Sequence, residues 1–229
     1  MALDPLKSAP DLIAQVHDRL LAAVIDGTLA AGERLTQESV ALRLGVSRQP
    51  VSHALQLLKH RGLLIEHGKR GLAVAPIDAQ RIRDLYQVRE ALEGLAANLA
   101  AHRARAGLIS DKERAQAADV LARGRALGAH ATISDLVQAD VAFHSVLHCL
   151  SGNAAIAETV ADEWPHFMRS MGLVLIETDV RHRVWSEHMA ILDAVLGGRP
   201  SDAEHLVRRH LSRAREDTAR RLEQKTVSN

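Results

Sequence analysis

The chain has 229 residues, and its 29 Lys and Arg nearly balance its 28 Asp and Glu, so no overall basic field indicates nucleic-acid binding and any such surface must be local. Its single cysteine, Cys149, excludes an intramolecular disulfide and favours a reducing compartment. The first residues lack the apolar core of a signal peptide, and no apolar run approaches the roughly 20 residues of a spanning helix, which predicts a soluble, cytoplasmic protein without membrane contact.

Two short helices are predicted near the start of the chain. Apolar residues recur at helical spacing over 12–25, and the Asp-Gly pair that follows ends the run. A second helix fits residues 37–43, because Thr36 can cap its start and Gly45 can end it. Only 2% of the residues are aromatic, and abundant Ala, Leu and Arg favour a mainly α fold along the whole chain.

A third helix and a hairpin follow. The helix begins after Ser47, whose hydroxyl can cap it, and Pro50 falls in its first turn, where a missing N–H costs nothing. Its apolar stripe ends near Gly62, and LLIE and LAVA, separated by HGKRG, then predict the two strands of a hairpin. Helix, helix, tight turn, helix and hairpin indicate a winged helix-turn-helix that ends at Pro76.

The rest of the chain has an almost purely helical pattern. Pro165 should kink the fourth of these helices, because it removes one i to i−4 hydrogen bond. Ser201 and Glu204 have the spacing of a capping box, which starts the last helix just after the Gly-Gly-Arg-Pro break. We therefore expect an N-terminal winged domain over 1–76 and an all-helical antiparallel bundle of six to seven helices over 79–223. The helices fit residues 79–105, 110–127, 134–150, 154–175, 180–196 and 202–223.

Within the winged helix-turn-helix region, the stretch from Arg43 to Gly71 gathers six basic residues around one acid, Glu66. In this fold the second helix of the motif enters the major groove, and its first residues contact bases and phosphates. Arg48 can donate to guanine or phosphate, Gln49 can pair with adenine, and the wing can reach the adjacent backbone or minor groove. The alternative is a solvated charged loop beside an ordinary three-helix core. The basic residues are Arg43, Arg48, Lys59, Arg61, Lys69 and Arg70.

This region, from AAGERLTQESV through LGVSRQPVSHAL to the hairpin, resembles the DNA-binding domain of GntR-type bacterial transcription regulators. The resemblance implies that Ser47 and Arg48 contact the operator and that His67 and Gly68 lie at the wing tip. The chain departs from the family pattern at Ser52, where Arg is usual, so its operator can differ from the commonest type. The predicted DNA-binding residues are Ser47, Arg48, Gln49, Ser52, His53, His67, Gly68, Lys69 and Arg70.

In the helical part, four side chains have spacings that suit a metal site. Asp140 and His144 are four residues apart, so both project from one helix face. His188 lies nine residues before Gly197, the first glycine of the GGRP break. His210 lies nine residues after Ser201, which follows that break, so each histidine is about 13 Å from the turn. Three imidazoles and one carboxylate suit a divalent ion with a position open to a ligand. Zinc is expected first, with nickel, manganese or iron as alternatives. Among 13 histidines, such spacings also arise by coincidence.

Residues 79–223 resemble the all-helical effector domain of the FadR subgroup of GntR regulators, the FCD domain. The resemblance implies that the four residues just described bind the metal. An acidic effector also needs a cation, and Arg89 and Arg169 are the candidates, because both can form bidentate contacts with a carboxylate. The alternative for Arg89 is a surface ion pair with Glu90 or Glu93.

The favoured function is a metabolite-responsive transcription regulator that binds a pseudo-palindromic operator as a homodimer, because half-sites mirror a two-fold axis. A small carboxylate would control it from the metal centre. A second hypothesis is a metal-dependent hydrolase with an appended DNA-binding domain. Glu187 or Glu163 would be its general base, and the sequence does not place either residue next to the metal. A third makes the helical half a plain dimerisation module with an incidental histidine set.

Overall fold

The structure is a computed structural model that describes residues 11–68, 71–128 and 130–227. It divides into two compact units, Met1–Pro76 and Ile77–Asn229. No helix in the described part of the chain is both long enough and apolar enough to cross a membrane.

The first unit is a winged helix-turn-helix, as the sequence predicts. A strand that the sequence pattern did not indicate, Arg34–Leu35, pairs antiparallel with the second hairpin strand, Gly71–Val74, which therefore lies in the middle of a three-stranded sheet. Two residues are too short to show the alternation that identifies a strand. The elements are α1 (Asp11–Ile25), β1 (Arg34–Leu35), α2 (Gln37–Leu44), α3 (Arg48–His60), β2 (Leu64–His67) and β3 (Gly71–Val74).

The ends of α2 and α3 set the tight turn of the motif. Thr36 caps α2 through its side chain, which accepts from the Ser39 amide, and Gly45 ends the helix with φ of 66°, a left-handed conformation that favours glycine. Ser47 stands at the N-cap of α3, but its hydroxyl makes no capping hydrogen bond. The expected side-chain cap is therefore wrong, and Ser47 is exposed at the start of α3.

The second unit contains seven helices within the described residues, consistent with the predicted all-helical bundle. Their bounds lie within a few residues of the expected ones, apart from the segment that holds Pro165. The helices are α4 (Ala79–Arg105), α5 (Asp111–Arg125), α6 (Ile133–Ser151), α7 (Ala154–Ala161), α8 (Trp164–Val174), α9 (Thr178–Leu196) and α10 (Pro200–Val227).

Two local predictions in this unit are wrong. Pro165 does not kink one long helix, because the chain breaks after Ala161 and Pro165 lies in the first turn of α8, where no intrahelical N–H is missed. Ser201 does not cap α10, because the helix already begins at Pro200, whose fixed φ suits a first helical position. The carboxylate of Glu204 instead accepts from Asn98 at 3.0 Å.

The central helix of the second unit is α4, which packs on α6, α9 and α10. Its buried face is rich in alanine at 96, 97, 100, 101 and 104, and these small side chains let the neighbouring helices approach closely. The same face carries two buried charges, Arg89 and Glu93. Buried charges need partners, and theirs lie at the centre of the bundle.

Candidate functional site

Three histidines from three helices converge inside the second unit. His144 of α6, His188 of α9 and His210 of α10 are all buried, and one ring nitrogen from each lies within 4.8 Å of the others. The Nε2 atoms of His188 and His210 are 3.3 Å apart. The antiparallel hairpin of α9 and α10 brings these two rings to the same level, in agreement with their equal spacing from the turn.

A carboxylate completes the cluster. Asp140 precedes His144 by one helical turn and is buried, and one of its oxygens lies 3.6 Å from Nε2 of His144. Its other oxygen lies 3.6 Å from Nε2 of His188. The structure thus brings together all four side chains that the sequence singled out, as three nitrogens and one oxygen within one small volume.

Two further carboxylates orient the imidazoles. Glu93 lies 2.5 Å from Nδ1 of His144, and Glu187 lies 2.8 Å from Nδ1 of His210. A carboxylate on Nδ1 holds the proton there and leaves the Nε2 lone pair directed into the cluster. His188 has no such carboxylate in the contacts of the described chain; its ring stacks on Phe143, with centroids 3.8 Å apart. Sequence reasoning did not give Glu93 or Glu187 this role.

Burial favours the neutral form of two of these imidazoles, His188 and His144. The pKa of His188 is held well below its ordinary value by burial and by the neighbouring His210 and His144. Burial also lowers the pKa of His144, although the charge of Glu93 opposes it. Within the described residues, Nε2 of His144 has no hydrogen-bond partner. A buried nitrogen without a partner costs about 1–3 kcal/mol of folding free energy. Neutral nitrogens that point at one another are therefore more favourable around a bound cation than in a core without one.

Arg89 is not the surface residue of the alternative reading. It is 1% exposed, and its Nε donates to Glu93 at 2.6 Å. The guanidinium lies over the rings of Trp164 and Phe167, 4.8 and 4.9 Å from their centroids. Burial raises the pKa of Glu93, but Arg89 and His144 outweigh burial and hold that pKa well below its ordinary value.

One nitrogen of Arg89 remains available beside the histidine cluster. Its Nη2 is buried and has no hydrogen-bond partner among the described residues. The side chain lines the same cavity as Asp140, His144 and His210. Arg169 is also buried, and burial lowers its pKa, but it does not border that cavity in the described chain. The structure therefore brings Arg89, and not Arg169, next to the candidate metal centre.

Two histidines outside the predicted set differ in their surroundings. Nε2 of His148 is buried 3.7 Å from Glu93, so this residue belongs to the network behind His144. His205 is exposed on α10. Of these two histidines only His205 lies outside the network, so only its substitution is a suitable control for changes at the cluster.

The predicted DNA-binding residues around α3 lie at its N-cap and on its first two turns. Ser47, Arg48, Gln49 and His53 are exposed, whereas Ser52 is half-buried and accepts from the Gln37 side chain at 3.0 Å. At the wing, His67 and Gly68 are exposed. Lys69 and Arg70, the remaining two predicted contacts, fall outside the described residues.

Acidic side chains pair with three of the six basic residues in the winged helix-turn-helix region and so reduce the local excess of positive charge. Arg48 lies 3.0 Å from Glu38, Arg43 lies 3.3 Å from Glu33, and Lys59 lies 2.7 Å from Glu66. Glu33 and Glu38 precede the stretch in which the sequence shows six bases against one acid. These pairs are largely exposed, and exposed pairs contribute little, about 0–1 kcal/mol, so a phosphate can replace the carboxylate.

Comparisons with known proteins agree with this architecture. The family model for bacterial regulatory proteins of the gntR family matches residues 12–74, and the FCD domain model matches residues 84–213. An uncharacterized HTH-type transcriptional regulator from an unstable DNA locus of Streptomyces ambofaciens is 31% identical over 210 residues, which cover 90% of this chain and 84% of that protein. The putative L-lactate dehydrogenase operon regulatory protein of Escherichia coli is 29% identical, with 86% and 83% covered.

One shorter sequence match and one solved structure are also similar to this chain. A 33% identical match to the uncharacterized HTH-type transcriptional regulator YdhC of Bacillus subtilis spans 37% of this chain and 38% of that protein. Among solved structures, E. coli McbR/YncC superposes with a TM-score of 0.76 at 17% identity and covers 94% of this chain and 99% of its own. At that identity the likeness shows the fold alone.

Proposed function

Because this chain belongs to the GntR family of bacterial transcription regulators and carries an FCD domain, we propose that a small carboxylate metabolite controls its operator binding through a divalent metal centre. The centre consists of Asp140, His144, His188 and His210. The observation that carries the proposal is the convergence of three buried imidazoles on one carboxylate, with Glu93 and Glu187 behind two of the rings.

The DNA-facing half of the proposal rests on α3. Ser47, Arg48, Gln49 and His53 form an exposed polar surface at the start of that helix, which in this motif enters the major groove. Ser52 is held by Gln37 and is less exposed, so it contributes less than the arginine usual at this position. Lys69 and Arg70 would add phosphate contacts from the wing. A pseudo-palindromic operator requires two such surfaces, so we take the active form to be a homodimer.

The metal-facing half rests on the donor set. Imidazole nitrogens with one carboxylate oxygen suit zinc first, and also nickel, manganese or iron. Such an ion would supply a positive centre with a position for an oxygen of the effector. Glu93 and Glu187 hold the protons of His144 and His210 on Nδ1, so that Nε2 of each ring is available.

A carboxylate effector is supported by the charge beside the centre. Nη2 of Arg89 is buried without a partner among the described residues, and the Arg89 side chain lines the same cavity, so it can donate to an anion that enters there. The name of the E. coli relative connects that protein with an L-lactate dehydrogenase operon, and lactate is a small hydroxy acid. For the present chain we propose the same broad class, a small carboxylate. Arg169 is the weaker candidate, because it lies away from the cavity.

Elemental analysis of purified protein tests the metal centre. We expect about one divalent ion per chain in the wild type, and His188→Ala should lose most of it because the cage is left incomplete. His205→Ala is the matched control, an exposed histidine on α10. Equal metal in the wild type and His188→Ala, or an equal loss in His205→Ala, would refute the site. Metal loading should also raise the melting temperature of the wild type and not that of His188→Ala.

The hydrolase hypothesis has no support. Glu187, one of its two candidate bases, is engaged with His210 and Arg213, and Glu163, the other, contacts Arg81. The relatives described above are named as transcriptional regulators.

A further inference from the structure

One face of α9 and the end of α5 border a cleft of about 530 Å³ in the second unit. Thr178, His182, Trp185 and Met189 line it from α9 at intervals of three and four residues, which keeps them on one side of that helix. Arg125, in the last turn of α5, lines it as well. We call this space the α9 cleft. Its volume lies within the range of small-molecule sites, about 300–1,000 Å³.

The charged side chains that line the α9 cleft are basic. Arg125, Arg181 and His182 line it, and no acidic residue of the described chain does. Nη1 of Arg125 lies 3.5 Å from the thioether sulfur of Met189. Nη2 of Arg181 donates to the Thr178 hydroxyl at 3.0 Å. Within the described residues neither guanidinium pairs with a carboxylate, so an anion that enters the cleft has no ion pair to displace.

The acids near the α9 cleft do not cancel this charge. Glu177, at the N-cap of α9, pairs with Arg221, and Asp119 of α5 pairs with Arg123. Asp179 is exposed in the first turn of α9 but does not line the cleft. The helix dipoles oppose each other here, because the cleft lies beside both the amide end of α9 and the carbonyl end of α5. The preference for an anion therefore rests on the basic side chains.

An indole ring forms part of the wall of the α9 cleft. Trp185 is 8% exposed, and it lines the cleft together with Leu127 and Met189. An aromatic wall beside guanidinium groups suits a flat apolar group that carries an anionic substituent. The ring of Trp185 also meets the ring of His188 edge-on, with centroids 4.9 Å apart. An occupant of the cleft would therefore lie one side chain away from the candidate metal centre.

We propose that the α9 cleft binds a small aromatic carboxylate, with the aromatic ring against Trp185 and the carboxylate held by Arg125 and Arg181. The site goes beyond the proposed function, because it needs no metal ion. It also shares no lining residue of the described chain with the cavity at the candidate metal centre.

Ligand-observed NMR titration with benzoate tests the site. Chelator-treated protein is used, so that no metal ion holds the carboxylate. Benzoate should bind about tenfold more tightly than benzyl alcohol, which lacks the charge, and than acetate, which lacks the ring. Arg125→Ala and Arg181→Ala should each weaken benzoate binding about tenfold, because a hydrogen bond to a charged group is lost.

Arg123→Ala is the matched control, because Arg123 is an exposed arginine of α5 that does not line the cleft. It should bind benzoate as the wild type does. The site is overturned if benzoate does not bind, if benzyl alcohol binds equally well, or if either Arg125→Ala or Arg181→Ala keeps the wild-type affinity.

Fluorescence tests the contact with the indole ring. The chain has two tryptophans, so Trp164→Phe leaves Trp185 as the only one. Benzoate should change the emission of that variant with the dissociation constant that NMR gives, and unchanged emission would overturn the contact. Metal content separates this proposal from the preceding one, because Arg125→Ala should keep its ion. A metal-free wild type that binds benzoate would sink the metal centre and leave the α9 cleft standing, whereas benzoate binding that requires the metal would sink the cleft.

Discussion

The carboxylate of Glu93 has two roles that can be measured separately. It pairs with the buried guanidinium of Arg89, and it contacts Nδ1 of His144. Glu93→Leu leaves the guanidinium of Arg89, 1% exposed, without its counter-charge. Breaking a buried pair in this way costs about 3–5 kcal/mol of the free energy of unfolding. The double change Arg89→Met with Glu93→Leu removes both charges and keeps apolar volume, so most of that loss should be recovered.

Metal binding should respond differently, because Glu93 also holds Nδ1 of His144 at 2.5 Å. Loss of such an outer carboxylate lowers metal affinity by about 10–100-fold, and the double variant lacks it as much as the single one. We therefore expect stability to recover in the double variant while metal affinity stays low.

Urea unfolding in the presence of a chelator measures the first quantity, and competition with a coloured chelator measures the second. The reasoning fails if the double variant is as unstable as Glu93→Leu, because the pair would then not be the source of the loss. It also fails if the double variant regains wild-type metal affinity, because Glu93 would then not position His144.

Three further outcomes are expected. Arg48→Ala should weaken operator binding by about 1–3 kcal/mol at fixed salt without changing the fold, and unchanged affinity in a fluorescence titration would reject this contact. Gly124→Ala should destabilise the protein by about 1–3 kcal/mol, because the new methyl would overlap the ring of Trp185, which packs on His188. Gly128→Ala is the control, because nothing lies within 4 Å of the position that its new methyl would take. Equal melting temperatures of the two variants would refute the overlap. In metal-free protein, burial holds the pKa values of His144 and His188 below those of the unfolded chain, so the unfolded chain binds more protons below about pH 6.5. The free energy of unfolding should therefore fall as the pH drops below that value and stay level above it, a trend that thermal unfolding in a chelator can measure and that His188→Phe should weaken.

The winged helix-turn-helix was accessible from the sequence because its signals are local. Thr36 and Gly45 fix the ends of α2 within the chain itself, and the apolar period of α3 identifies its buried face. The errors arose where two local signals compete. Ser201 has the spacing of a capping box, but Pro200 already satisfies the first helical position, and Pro165 suits a helix start as well as a kink.

The candidate metal centre was accessible for a different reason. A one-turn spacing on α6 and equal distances from a sharp turn are enough to bring ligands level, so Asp140, His144, His188 and His210 could be named without coordinates. Glu93 could not be assigned in the same way. It meets His144 across 51 residues of chain, and its nearest sequence signal, four residues from Arg89, predicts a surface ion pair as readily as a buried one.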